Sequence, residues 1–143
     1  AKIVRPTAVY GPFDANQRVM YKFITNALAG KKVTVDGDGG FRLDFTFVDD
    51  TANGIFLAAI TPNVAGEAFN IARGNARSLK ELVGIVSEHI PNIEVEYGPP
   101  PAHVPKRGTL VISKAKTILG FSPQYDLEDK VGPYVDHLRK NQI

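Results

Sequence analysis

The chain has 143 residues, 43% of them apolar, enough for one domain with a modest core that buries roughly 65–70% of its unfolded surface. Its 17 Lys and Arg against 15 Asp and Glu leave a net charge of only +2, with the cations scattered, so neither composition nor patterning argues for nucleic acid as a partner. There is no cysteine for a disulfide, a thiolate–zinc site or a thiol nucleophile, and the longest apolar stretches, such as Ile55 to Ile60, fall far short of the roughly 20 residues of a membrane span, so a soluble, cytoplasmic chain is expected.

Lys2 to Tyr10 reads as a strand running into a turn at Gly11–Pro12. The chain opens on Ala1 and goes straight into this strand, and its amino end is expected to be a cut. From Asn16 to Leu28, apolar residues at three- and four-residue spacing predict a helix stopped by Gly30. Lys32 to Val35 is a short strand, Asp36 to Gly40 a tight Gly-rich corner, and Leu43 to Val48 the next strand. Asp49 or Asp50 is placed to cap a helix over Ala52 to Ile60, which Pro62 stops. Ala68 to Ala72 is a brief strand. Ser78 and Glu81 have the spacing of a capping box, opening a helix whose buried stripe is Leu79, Leu82, Val83, Val86 and Ile90. Ile93 to Tyr97 alternates as a strand before the turn Gly98–Pro99–Pro100–Pro101. A strand over Thr109 to Ile112, a short helix over Ser113 to Leu119 ending at Gly120, and an amphipathic helix over about Leu127 to Lys140 complete an α/β pattern.

Gly37–Asp38–Gly39–Gly40 invites a phosphate-cradling reading, but a dinucleotide fingerprint needs Gly at 42, where Arg42 stands, and a strand-to-helix setting. A corner between strands is the simpler reading, with a loop beside an anionic ligand as the alternative. Arg42 then either forks onto a phosphate or lies solvated at the surface. Lys106 and Arg107 follow a proline-rich loop that could fold over a ligand, and they too could be a solvated basic pair. His103 in that loop has no second ligand at a metal-like spacing.

Five segments taken in order carry a resemblance: Arg5-Pro6-Thr7-Ala8-Val9-Tyr10-Gly11-Pro12, Val35-Asp36-Gly37-Asp38-Gly39, Asp44-Phe45-Thr46-Phe47-Val48-Asp49-Asp50, Phe69-Asn70-Ile71, and Ser113-Lys114-Ala115-Lys116 with Leu119-Gly120-Phe121-Ser122-Pro123. Together they resemble the back half of the extended short-chain dehydrogenases, the NAD-dependent sugar-nucleotide epimerases and dehydratases. The resemblance implies a single fragment, residues 1–143, made of the last strands of a Rossmann-like sheet plus the small α/β substrate-binding lobe, without the amino-terminal cofactor half. It implies NAD or NADP as the cofactor of the complete protein, and a UDP-, GDP-, dTDP- or CDP-sugar as its ligand.

That family's Tyr-x-x-x-Lys pair is missing here. The residues four positions after Tyr10, Tyr21, Tyr97, Tyr125 and Tyr134 are Asp14, Thr25, Pro101, Asp129 and Leu138, which leaves no catalytic residue in the chain and predicts that it is inactive alone. By the resemblance, Pro6 and Thr7 lie against the nicotinamide. Ala8 stands at a substrate-binding position that is often Asn, and Asp36 where many relatives place an aromatic residue near the nucleotide base. Leu43 occupies the position of a phosphate-binding Arg, with Arg42 one residue early, a shift that reverses the facing side of a strand unless a bulge restores it. Lys106 or Arg107 matches the second cation, and Arg107 has the better fork for a diphosphate. A reductase of another alcohol, favoured by the departures at Ala8, Asp36 and Leu43, and a non-catalytic binding module are the alternatives. Strands lacking their sheet neighbours further predict a partly molten state or a homo-oligomer.

Overall fold

The structure is a computed structural model that describes residues 1–141. Its strands are β1 (Ile3–Pro6), β2 (Val9–Tyr10), β3 (Val33–Val35), β4 (Arg42–Leu43), β5 (Thr46–Phe47), β6 (Ala68–Ile71), β7 (Arg77–Ser78) and β8 (Val95–Tyr97). Its helices are α1 (Val19–Leu28), α2 (Val48–Ile60), α3 (Leu79–His89) and α4 (Leu127–Asn141), with a π-helical turn over Ala115–Leu119. β1 pairs with β6, β2 with β5 and β3 with β8, all in parallel, while β4 pairs antiparallel with β7. The α/β reading therefore holds.

Two apolar clusters organise these elements. In the larger one, the stripes of α1 (Met20, Phe23, Ile24), α3 (Leu82, Val86) and α4 (Val131, Tyr134, Val135) close over Val33 and Val35 of β3. Each such side chain contributes roughly 1.5–3 kcal/mol by leaving water, which explains why α4 tolerates Pro133 in its interior at a cost of about 3 kcal/mol. α3 and α4 approach closely at Gly132, where a Cβ would sit 2.7 Å from the His89 ring. In the smaller cluster, Phe69 and Ile71 of β6 meet Ala58 of α2 and Ala115, Leu119 and Phe121 from around the π-helical turn.

Local chemistry explains the departures from expectation. Lys2 to Tyr10 is two strands because Ala8 takes a left-handed φ of 43° between β1 and β2. α1 begins at Val19 rather than Asn16, since the Asp14 carboxylate accepts hydrogen bonds from the Asn16 and Arg18 amides and holds the preceding loop. The Gly-rich corner follows β3 and precedes β4, but these strands do not pair with each other. The expected strand Leu43 to Val48 breaks at Asp44, and α2 starts at Val48. Its N-cap is Phe47, with no side-chain cap, so neither Asp49 nor Asp50 plays that part. Asp50 instead accepts from the Gln124 and Tyr125 amides at 2.9 and 3.1 Å. β8 starts at Val95 rather than Ile93. Thr109 to Ile112 pairs with no strand, and Ser113 to Leu119 is largely π-helical, ended by Gly120 at φ 68°. The Ser78–Glu81 capping box forms as expected.

Candidate binding clefts

Two clefts meet at Arg107. The wider, about 390 Å³, is lined by Asp36, Gly37, Asp38, Gly40, Phe41, Arg42, Pro100, Pro101, Val104, Lys106 and Arg107. The Gly-rich corner forms one wall and the proline-rich loop the other, and their backbones are joined where Gly98 donates to Val35 O (2.8 Å) and Gly37 donates to Gly98 O (3.1 Å). The second cleft, about 180 Å³ and lined mainly by residues with apolar side chains, is formed by Ala8, Val9, Tyr10, Arg18, Val19, Met20, Leu43, Phe45 and Arg107. The fold thus brings Asp36, Arg42, Lys106 and Arg107 to one depression and Ala8 to its neighbour. Pro6 and Thr7, at the end of β1, line neither cleft.

The one-residue offset at β4 has a definite outcome. Arg42 faces the wider cleft and Leu43 the apolar one, so alternation along β4 sends the cation and the aliphatic side chain to different compartments. Arg42 is not wholly free. Its Nη2 donates to Ala76 O at 2.6 Å, and Nη1 lies 3.8 Å from Glu81 Oε2 in a half-exposed ion pair of small energetic weight. That tether fixes the guanidinium plane and leaves further N–H donors for a ligand. Lys106 and Arg107 are exposed and make no ion pair among the described residues.

Two residues of this region escape sequence reasoning. Arg18, in the apolar cleft, is the N-cap of α1 and supplies no side-chain cap, so the first amides of α1 are open beside a guanidinium and Arg107. The signal was a cation just ahead of an amphipathic stripe with no acidic residue in its first turn. Asp44, nearly fully buried, accepts from the Gly74 amide (3.1 and 3.2 Å), the Asn75 amide (3.4 Å) and the Leu110 amide (3.0 Å). Burial pushes its carboxyl above the ordinary value, although the three amides and Arg73 pull the other way. With Ala76 N–H donating to Thr109 Oγ1 (3.0 Å) and Asn70 Nδ2 donating to Val111 O (3.0 Å), Asp44 anchors the strandless segment that follows Arg107.

Other charged groups are committed to structure. Arg73 grips Asp126 through two bonds of 2.6 and 2.9 Å and holds that carboxyl below its usual range. Arg77 does the same for Glu128. Tyr10 reaches the apolar cleft, but burial, aided by Asp50 and Asp126, pushes its phenol up, the direction opposite to that of a general base near neutral pH.

This arrangement, with parallel strand pairs flanked by helices, is an α/β fold of the extended short-chain dehydrogenase class. The chain belongs to the NAD dependent epimerase/dehydratase family, whose family model matches residues 1–72. It is 30% identical over 141 residues to the UDP-glucose 4-epimerase of Mycolicibacterium smegmatis, covering 95% of this chain and 44% of that protein. It is 31% identical over 143 residues to the dTDP-glucose 4,6-dehydratase of Streptomyces griseus, covering 99% and 43%. Among solved structures, the UDP-glucuronic acid 4-epimerase of Bacillus cereus in complex with UDP-glucuronic acid and NAD superposes with a TM-score of 0.92 at 28% identity, over 98% of this chain and 45% of that one. The chain spans less than half the length of the curated relatives it matches. It has the extended short-chain dehydrogenase fold over that portion.

Proposed function

We propose that residues 1–143 form the sugar-nucleotide-binding part of an NAD(P)-dependent epimerase or dehydratase, with the pyrophosphate seated at Arg107, where the two clefts join. The observation that carries this reading is that Arg107 lines both clefts, with Arg42 and Lys106 beside it in one and Arg18 and the open amides of α1 in the other. A diphosphate there meets guanidinium forks and helix amides together, the donor set that phosphate oxygens require. The nucleoside then occupies the wider cleft past Arg42 and Asp36, and the sugar extends past Ala8 toward β2.

In the complete protein NAD or NADP supplies hydride transfer, and Pro6 and Thr7 form part of the rim against its nicotinamide. Those two residues do not enclose a dinucleotide, and the chain holds no Tyr-x-x-x-Lys pair, so oxidation of the sugar belongs to sequence outside these residues. Among the described residues no helix is long and apolar enough to cross a membrane, and the reading is of a cytoplasmic homo-oligomer without nucleic-acid partners. A reductase of another alcohol is the second reading. It is favoured by the apolar cleft, where Ala8 and Leu43 present no polar atom of their side chains to a sugar.

Calorimetric titration with UDP-, GDP-, dTDP- and CDP-sugars tests the assignment. At least one binds, and Arg107→Ala weakens it about 10-fold or more, as loss of a charge-assisted fork requires. Failure of the whole panel to bind, or an Arg107→Ala protein that matches the parent toward every ligand, removes the reading.

A further inference from the structure

Arg107 belongs to a stretch that no strand holds. From Pro99 to Val111 the chain makes no backbone-to-backbone hydrogen bond among the described residues. Its far end is fixed by side chains instead. The Leu110 amide donates to Asp44 Oδ2 (3.0 Å), the Ala76 amide donates to Thr109 Oγ1 (3.0 Å), and Asn70 Nδ2 donates to Val111 O (3.0 Å). Only Gly108 separates Arg107 from Thr109.

Arg42 is held through the same centre. Its Nη2 donates to Ala76 O at 2.6 Å, and the turn just ahead of Ala76 hangs on Asp44, whose carboxylate takes the Gly74 amide at 3.1 and 3.2 Å and the Asn75 amide at 3.4 Å. That turn presses on the strandless segment: Gly74 adopts φ 79°, and a Cβ there would lie 2.9 Å from the Ile112 side chain. Two chains of bonds therefore start from one carboxylate that is only 1% exposed. One runs through Gly74, Asn75 and Ala76 to the Arg42 guanidinium, the other through Leu110 and Thr109 to the backbone of Arg107, and the Ala76–Thr109 bond ties the two together. Bonds from amides to an ionised carboxylate are short and strong, so they hold this geometry more stiffly than neutral partners would. Resting on the placement of the pyrophosphate at Arg107 proposed above, we propose that Asp44 is a positioning residue for that site, setting Arg42 and Arg107 in the spacing at which both guanidinium groups meet one pyrophosphate. A site whose cations are fixed before the anion arrives is spared the cost of ordering them on binding.

The test titrates the chain with inorganic pyrophosphate at one salt concentration, using the parent, Asp44→Asn, Thr109→Val, Arg107→Ala, the double variant Asp44→Asn with Arg107→Ala, and Gly54→Ala. Asp44→Asn cuts the Leu110 link, and Thr109→Val cuts the Ala76 link without touching the buried carboxylate. Each weakens pyrophosphate about 3- to 10-fold, the factor that ordering a released side chain on binding costs. In the Arg107→Ala background the Asp44→Asn effect shrinks to less than about 2-fold, because a residue that acts through Arg107 has nothing left to position. Gly54→Ala, which strains the smaller cluster away from both clefts, leaves the affinity at the parent's value. Should Asp44→Asn fail to fold, Thr109→Val alone and combined with Arg107→Ala decides the matter by the same criteria. Parent-like affinity in Asp44→Asn and Thr109→Val, with Arg107→Ala weakened, overturns the positioning role and leaves the pyrophosphate site standing. An Asp44→Asn effect undiminished in the Arg107→Ala background, or a loss in Gly54→Ala as large as in Asp44→Asn, also overturns it, since affinity then follows general stability. A parent that does not bind pyrophosphate overturns both.

Discussion

Replacing Asp44 probes the anchor beneath Arg107. In Asp44→Asn one oxygen remains for the Gly74 and Asn75 amides, but an NH2 group now meets the Leu110 amide, which bonds Oδ2 at 3.0 Å. One charge-assisted hydrogen bond, roughly 1.5–3 kcal/mol, is lost and two donors confront each other in a buried setting. Relief from burying a charge offsets part of this, since burial already pushes the Asp44 carboxyl upward. The net cost is about 2 kcal/mol for Asn and about 3–4 kcal/mol for Ala, which strips all three amides of their acceptor. The chain has no tryptophan, so urea unfolding is followed by far-ultraviolet circular dichroism. A 2 kcal/mol loss lowers the midpoint by about 1 M at slopes typical of a small domain. Hydrogen exchange at the Leu110 amide should accelerate more than exchange at amides of the α1–α3–α4 core. A midpoint for Asp44→Ala within about 0.2 M of the parent refutes the anchoring argument.

Gly54→Ala, ordinarily worth up to about 1 kcal/mol of added helix stability, should here destabilise by about 1–2 kcal/mol, because the new Cβ collides with Ile71 and comes within 3.2 Å of Phe121, both buried. A raised urea midpoint contradicts it. The acid side of the stability profile follows from Asp126 and Glu128, whose folded carboxyls are held low by Arg73 and Arg77. Their contribution is complete above the ordinary carboxylate range, about 4, and is lost as pH falls below it toward their folded values. Asp126→Asn should therefore flatten the fall in stability below about pH 4, and an unchanged slope would count against the pairing. Finally, Ile3, Phe56 and Ile60 are each more than half exposed, and sedimentation should show concentration-dependent association that Phe56→Lys with Ile60→Lys weakens. A monomer at every concentration disproves it.

Contacts local in sequence were legible and distant ones to backbone were not. The Ser78–Glu81 capping box and the buried stripes of α1, α3 and α4 follow from spacings of three and four residues. The meeting of Asp36, Arg42, Lys106 and Arg107 in one cleft was reachable only through family resemblance, since no periodicity links Arg42 to Arg107. Asp44 was missed and Asp50 misread as a cap because their partners are main-chain amides 30 to 75 residues away, and every residue but proline carries such an amide. An Asp ahead of an apolar run looks like a cap, yet here the same carboxylate staples a loop. Thr109 to Ile112 has strand-like composition but bonds to the side chains of Asp44 and Asn70, where a strand would find a backbone partner.

The two apolar clusters divide the chain by function. The larger, built from α1, α3, α4 and β3, closes on itself and supplies the floor of the apolar cleft through Tyr10, Met20 and Phe45. The exposed Ile3, Phe56, Ile60 and Ile118 instead belong to β1, α2 and the π-helical turn around the smaller cluster. β1 pairs on one side only, with β6, and parallel strands are ordinarily covered on both faces. Any surface that covers β1 and α2 therefore approaches elements other than those carrying Arg42, Lys106 and Arg107. Assembly and nucleotide binding become separable: substitutions at Phe56 and Ile60 should change the association state while pyrophosphate affinity holds, and Arg107→Ala should do the reverse.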